Sequence, residues 1–201
     1  MPTVIAHGAF AIALAHVFKH RQLPIRFWLL ALACSLLPDI DVVGFSLGVE
    51  YGDFWGHRGF THSIVFAMLI SLLVVFTAFY QEKYRCLRLR LVLFFFLVTA
   101  SHGLFDAMTN GGLGIAFFSP IDDSRYFLPL RPFQVSPIGW HDFIQWGGWR
   151  VLSSEFKWII LPSLLLFTVS VTFRLFIKAQ ANDGDQHHIE KRFKPVEHQR
   201  K

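Results

Sequence analysis

Five apolar segments alternate with short polar stretches along most of the chain. They cover residues 3–18, 25–38, 62–80, 91–107 and 156–177. A membrane-spanning helix needs about 20 predominantly apolar residues, and a somewhat shorter stretch can cross when flanking Lys or Arg side chains reach the interface. The pattern therefore predicts an all-α fold, a polytopic membrane bundle of about five apolar helices.

The boundaries of these segments differ in clarity. Residues 62–80 contain no Asp, Glu, Lys or Arg, and Thr61 is the predicted N-cap of this helix. The second segment is short, and it spans only if Arg26 reaches one interface while Asp39 lies at the opposite surface. Pro162 interrupts the fifth segment, where it is expected to bend the helix without ending it.

Two polar regions complete the organisation. Residues 108–155 are rich in Gly, Pro and aromatics, and we expect a long outer loop packed over the helix ends, with one interfacial helix. After Lys178 the chain becomes polar. We therefore divide it into a membrane-embedded domain, residues 1–178, and a disordered cytoplasmic tail, residues 179–201.

Composition supports this interpretation. Hydrophobic residues make up 53% of the 201 positions and charged residues only 16%, too few to coat a soluble protein of this size. The net charge of +5 arises from Lys and Arg between apolar runs and in the tail, not on one face, so no nucleic-acid partner is expected. Cys34 and Cys86 do not suggest a disulfide framework. No Lys or Arg precedes the first apolar stretch, so we expect the N-terminus to be retained rather than cleaved as a signal peptide.

The positions of Lys and Arg predict an orientation. Basic residues concentrate in residues 19–26, in residues 83–90 and from residue 174 onwards. The positive-inside rule places these regions in the cytoplasm. Residues 39–61 and 108–155, which carry most of the acidic loop residues, then face outward. We predict a multi-pass inner-membrane protein with its N-terminus outside and its C-terminus in the cytoplasm.

Seven His and Asp residues lie at segment ends that this topology assigns to the outer face. Because the topology rests on Lys and Arg alone, their convergence is an independent result; scattered structural histidines would fall on both faces about equally. The pattern predicts a metal site there. The seven residues are His7, Asp39, Asp41, His57, His62, His102 and Asp106.

The spacing of these residues suits metal binding. His102 and Asp106 lie one helical turn apart on one face. Pro38 is expected to close the second helix, so that an extended Asp39-Ile40-Asp41 would direct both carboxylates to one side. Mixed imidazole and carboxylate ligands favour zinc, with manganese or iron as alternatives.

We assign roles on this basis. A metal with an open position acidifies bound water and favours hydrolysis, whereas no Gly-rich phosphate loop or Gly-x-Ser-x-Gly motif supports nucleotide or serine chemistry. Asp41 and Arg58 are the predicted catalytic residues, with Arg58 available to hold an anion such as phosphate. From residues 57–63 either histidine could be a ligand. The predicted metal ligands are His7, Asp39, His57, His62, His102 and Asp106.

These motifs resemble a known family. The chain is similar over most of residues 1–175 to the membrane-bound metal-dependent hydrolases, some of them LexA-regulated. The resemblance implies an inner-membrane hydrolase. It rests on His7-Gly8, Pro38-Asp39-Ile40-Asp41, the stretch HRGFTHS at residues 57–63, and Ser101-His102 with Asp106 and Thr109.

A more distant resemblance concerns the order His, Asp, His, His-x-x-x-Asp. It is similar to that of the zinc-dependent phospholipase C and P1 nuclease group, and implies a phosphoester or lipid-like substrate and contact with membrane lipid. The chain departs from that group because it lacks a later His-x-x-x-Glu pair. The resemblance would make ligands of His7, Asp39, His62 or His57, His102 and Asp106.

Two other functions compete with hydrolysis. A proton or ion pathway would distribute ionisable groups through the depth of the membrane, whereas here they are predicted at one surface. A non-catalytic membrane protein could instead hold a structural metal with a full coordination shell. In the outer loop, Arg125 and Arg131 could bind a lipid phosphate or anchor the loop at the interface.

Overall fold

The computed structural model describes residues 1–19, 23–137, 140–145 and 147–192. Within these residues the regular structure is helical, which confirms the predicted all-α bundle. The helices are α1 Val4–Phe18, α2 Ile25–Leu36, α3 Val43–Ser46, α4 Ile64–Ala78, α5 Arg88–Ala107, α6 Trp140–Gln145, α7 Gly148–Glu155 and α8 Leu161–Arg192.

Three helical stretches are long and apolar enough to cross a membrane. They cover Ile25–Ser46, Glu82–Ala107 and Gly148–Gln180. The helices α1 and α4 are also apolar but have only 15 residues each. Such a helix measures about 22 Å, which is less than the roughly 30 Å hydrocarbon core.

An aromatic core joins α2, α4 and α5 at the end of the bundle where Lys and Arg concentrate. Phe27 packs against Phe94 with ring centroids 4.7 Å apart, and Phe79, Phe95 and Tyr84 complete the same buried cluster. Large apolar side chains on the outside of the helices stay exposed, as expected for surfaces that contact lipid. This core fixes how α2, α4 and α5 approach each other.

The second apolar segment does not end at Pro38. The chain tightens into a 3-10 helix, Leu37–Val42, and continues into α3. Proline is tolerated there because the first turn of a helix does not need its N–H. The predicted extended conformation of Asp39-Ile40-Asp41 is therefore wrong, and the roughly 120° step of a 3-10 helix places the two carboxylates beside opposite ring nitrogens of His62.

The N-cap of α4 also differs from the prediction. Ser63 lies in extended backbone, and its hydroxyl accepts a hydrogen bond of 3.0 Å from the N–H of Phe66. Thr61 lies in the preceding 3-10 turn, and its hydroxyl donates to Asp41 at 2.6 Å. The residue predicted as a cap therefore belongs to the functional site.

The outer loop contains more structure than the one predicted helix. It includes α6, α7 and two isolated β-bridges, Thr109 with Phe133 and Ile115 with Tyr126. These bridges fold the first half of the loop back across the end of α5. The loop therefore covers the end of the bundle where the candidate ligands lie.

The last helix is longer than the apolar segment that predicted it. A π-helical turn, Phe156–Ile160, joins α7 to α8 just before Pro162, whose ring cannot continue regular α-helical hydrogen bonding. The helix then runs past residue 178 to Arg192. Residues 193–201 lie outside the described residues, and the disorder predicted for them stays a prediction.

Candidate metal centre

Five of the predicted ligands meet at one end of the bundle, and we call them the His/Asp cluster. His7 comes from α1, Asp39 from the 3-10 helix after α2, His62 from the turn before α4, and His102 with Asp106 from α5. Ligand atoms of the last four lie within 4.8 Å of one another. The Nε2 atom of His7 lies 3.8 Å from Asp106 Oδ1, and its ring stacks on that of His102 at 3.9 Å.

The cluster contains buried polar atoms without hydrogen-bond partners. The Nε2 atom of His102 lies 3.2 Å from Asp39 Oδ1, and that of His62 lies 3.6 Å from the same oxygen. Buried polar atoms are nearly always paired, because each unpaired one costs about 1–3 kcal/mol. Six such atoms belong to the cluster, and ligand atoms of four of its residues lie close enough together to hold a cation. The six atoms are His7 Nε2, Asp39 Oδ1 and Oδ2, His62 Nε2, His102 Nε2 and Asp106 Oδ1.

Hydrogen bonds orient two of the histidines as metal ligands. The Nδ1 atom of His102 lies 2.7 Å from the carbonyl oxygen of Ser35, which can only accept, so Nδ1 carries the hydrogen. The Nδ1 atom of His62 lies 3.1 Å from a carboxylate oxygen of Asp41. A neutral ring held in this way presents its Nε2 lone pair to the cluster, an arrangement typical of metal-binding histidines.

The charges around the cluster favour a cation. Three carboxylates, those of Asp39, Asp41 and Asp106, contact the cluster histidines, and the guanidinium of Arg58 pairs with Asp106. With neutral imidazoles, two negative charges are left unbalanced among these residues. Burying such an excess is costly. A divalent cation would neutralise it.

Asp41 and His57 lie behind the cluster. One oxygen of Asp41 accepts from His57 Nδ1 at 2.8 Å, and the other accepts from the Arg58 N–H and the Thr61 hydroxyl as well as His62. Asp41, His57 and His62 form a second group that could hold a metal, but the Asp41 carboxylate already accepts hydrogen bonds from its neighbours. Of the two histidines, His62 supplies the unpartnered Nε2. The catalytic role of Asp41 and the ligand role of His57 stay predictions.

Arg58 is completely buried beside Asp106. Its Nε donates to an Asp106 oxygen at 3.1 Å, and its terminal nitrogens donate to the Gly111 carbonyl and the Thr109 hydroxyl. A side chain on Gly112 would place a carbon 2.5 Å from this guanidinium, so only glycine fits there. The structure shows Arg58 positioning Asp106, while its predicted contact with an anion stays a prediction.

Glu155 is a buried acidic residue that the sequence analysis missed. Its carboxylate, at the end of α7, accepts hydrogen bonds from the Thr3 N–H at 2.6 Å and from the Thr3 hydroxyl at 2.5 Å. These bonds fix the start of α1, four residues before His7. The available signal was an acidic residue directly before an apolar membrane segment, a position where burial requires a specific partner.

Arg125 links the loop of residues 108–155 to residues 51–57. Its guanidinium donates to the backbone carbonyls of His57, Tyr51 and Asp53. Burial raises the pKa of the Tyr51 phenol, and its ring meets that of His57 edge to face. Arg131 is exposed and lies over the Phe127 ring. The predicted contacts of both arginines with a lipid phosphate stay predictions.

Comparisons with known proteins support the membrane assignment. The family described as YdjM inner membrane protein matches residues 1–181. The inner membrane protein YbcI of Escherichia coli (strain K12) is 37% identical over 166 residues, which cover 83% of this chain and 95% of that protein. No solved structure matches. The predicted relationship to hydrolases and to the phospholipase C group stays a prediction.

Proposed function

This chain belongs to the family of YdjM inner membrane proteins, and we propose that it is a metal-dependent hydrolase of phosphoester or lipid-like substrates. The observation that carries the proposal is the set of buried, unpartnered ligand atoms in the His/Asp cluster. Their mixed nitrogen and oxygen chemistry favours zinc, with manganese or iron as alternatives.

A bound cation and the residues of the cluster would make different contributions to hydrolysis. A divalent cation bound there would supply Lewis acidity, which polarises a phosphoryl or carbonyl oxygen and acidifies water near neutral pH. His62 and His102 present their Nε2 atoms because Asp41 and Ser35 hold the opposite ring nitrogens. The side chain of Asp39 is 14% exposed, whereas those of His62, His102 and Asp106 are fully buried. Both carboxylate oxygens of Asp39 are buried as well, so all the unpartnered ligand atoms are shielded from bulk water.

Hydrolysis by purified protein tests the proposal. The full chain, purified in detergent and supplied with zinc, is expected to hydrolyse phospholipids or a simple phosphoester such as p-nitrophenyl phosphate. Asp39→Ala should lower the rate by more than about 100-fold, because it removes a ligand from the metal that drives the reaction. The control is Asp123→Ala, which changes an exposed acidic residue of the outer loop.

The two failures of this assay have different meanings. If Asp39→Ala hydrolyses as fast as the parent protein, the cluster does not catalyse the reaction. If the parent protein binds zinc stoichiometrically but hydrolyses neither substrate class, the result supports the alternative of a structural metal.

We also propose that the cluster faces the outside of the cell and the C-terminus the cytoplasm, on the basis of the Lys and Arg distribution. A fluorescent protein fused after residue 201 should fold and fluoresce, whereas alkaline phosphatase fused there should be inactive. The control fusion ends the chain after residue 121, in the outer loop, where alkaline phosphatase should be active. Active phosphatase at residue 201 would contradict this orientation.

A further inference from the structure

An apolar groove leads from the side of the bundle to the cluster. Its volume is about 350 Å³, and His62 is the ionisable residue among its described lining residues. Phe10 and Leu14 of α1 form one wall, and Ile64 at the start of α4 forms part of the other. The groove thus connects the side of the bundle with a histidine of the cluster.

The floor of the groove is one face of α5. Leu97, Ser101 and Leu104 follow the three- and four-residue spacing of a helical stripe. Leu97 is 37% exposed and Leu104 is 44% exposed, so the groove is open along this stripe. From Leu97 to Leu104 the stripe runs for about 10 Å along the helix. His102 lies on the buried face of the same turn.

The depth of the cluster indicates what surrounds the groove. His102 lies 14 residues along α5 from Arg88, the first residue of that helix, a distance of about 21 Å. Because the hydrocarbon core is about 30 Å thick, a helix that begins with Arg88 at one interface places His102 several ångströms below the other. The mouth of the groove then opens into the acyl region of the bilayer.

We propose that the groove binds an acyl chain of a membrane lipid, and that this lipid is the substrate of the cluster. The inference deepens the proposed hydrolase function and rests on it. The groove offers a hydrocarbon chain almost entirely apolar contacts, while the lipid's polar linkage would lie beside His62. A lipid can enter sideways from the membrane, so the substrate need not leave the bilayer to reach the buried cluster.

Photocrosslinking in lipid nanodiscs tests this inference without relying on catalysis. The probe is a phospholipid with a diazirine in the middle of one acyl chain, and labelled peptides of the zinc-loaded full chain are located by mass spectrometry. Labelling is expected to concentrate on the α1 and α5 residues of the groove and to be displaced by unlabelled phospholipid. Equal labelling of all lipid-facing helices would overturn the inference.

Filling the groove provides the matched comparison. Ser101→Phe should reduce groove labelling at least about fivefold, because the ring occupies the space of the chain. The control is Thr77→Phe on α4, since both residues use their hydroxyl to bond a carbonyl of their own helix and Thr77 is exposed outside the groove. Ala100→Phe fills the same groove and serves as a second variant if Ser101→Phe misfolds.

Metal content separates this inference from the proposed function. Ser101→Phe should keep its zinc while it loses groove labelling, and His102→Ala should lose zinc while it keeps groove labelling. Undiminished labelling in both groove-filling variants would overturn the lipid inference and leave the metal site intact. Conversely, a zinc-free parent protein that still labels in the groove would contradict the hydrolase and leave only a lipid-binding groove.

Discussion

Replacing His102 by alanine is expected to remove the bound metal from the purified protein. The Nε2 atom of His102 faces Asp39 at 3.2 Å, and the Ser35 carbonyl holds the ring in the tautomer that exposes its lone pair. Removing the hydrogen-bond partner of a metal ligand already weakens metal affinity about 10–100-fold. Removing the ligand itself should therefore weaken the affinity more than about 100-fold. Zinc and manganese are measured by mass spectrometry of the detergent-purified chain.

The matched control is His16→Ala. His16 is a half-buried histidine of the bundle, but it lies near the other end of α1 and its Nδ1 pairs with the Ser170 hydroxyl at 2.8 Å. This variant should keep the metal content of the parent protein. If His102→Ala keeps it too, the cluster is not the metal site. If both variants lose the metal, its loss reflects general unfolding, which a thermal unfolding curve would show.

Replacing Arg58 by methionine is expected to destabilise the fold strongly. Arg58 is completely buried, and its guanidinium bonds Asp106, Thr109 and Gly111. Removing one partner of a buried ion pair leaves an uncompensated charge and costs about 3–5 kcal/mol. The free energy of unfolding in detergent, measured with and without zinc, checks the prediction. Bound zinc should offset part of the loss, because it supplies positive charge next to Asp106.

Two further variants make this result specific. Arg85→Met removes an arginine whose pair with Glu82 is exposed, and such surface pairs contribute at most about 1 kcal/mol. The double variant Arg58→Met with Asp106→Asn removes both charges and should recover part of the stability that Arg58→Met loses. Equal effects of Arg58→Met and Arg85→Met, or no recovery in the double variant, would contradict the assigned ion pair.

Several features of the site could be predicted from the sequence because they depend on local pattern. Apolar segments of membrane length predict helices, and the distribution of Lys and Arg predicts which segment ends share a face. These two rules were enough to group His7, Asp39, His62 and His102 before any contact between them was known. The structure confirms that they meet, and family membership confirms the inner-membrane assignment.

Other features depended on contacts between distant parts of the chain. Arg58 bonds Asp106, 48 positions away, and Glu155 bonds Thr3, 152 positions away. No periodicity encodes such pairs. The conformation around Asp39 was also mispredicted, because a proline signals a helix end from sequence but can equally begin a new helical turn.

The sequence by itself thus determined that this protein is a bundle of membrane helices and which histidines and aspartates gather at one end of it. Only the tertiary structure decided which of these residues keep atoms free to bind a cation and which are engaged in hydrogen bonds. It left the Nε2 atoms of His62 and His102 without partners and surrounded Asp41 with donors. The physical reason is that residue type and spacing set where a side chain can reach, whereas neighbours from other segments decide which of its atoms remain free to bind a cation.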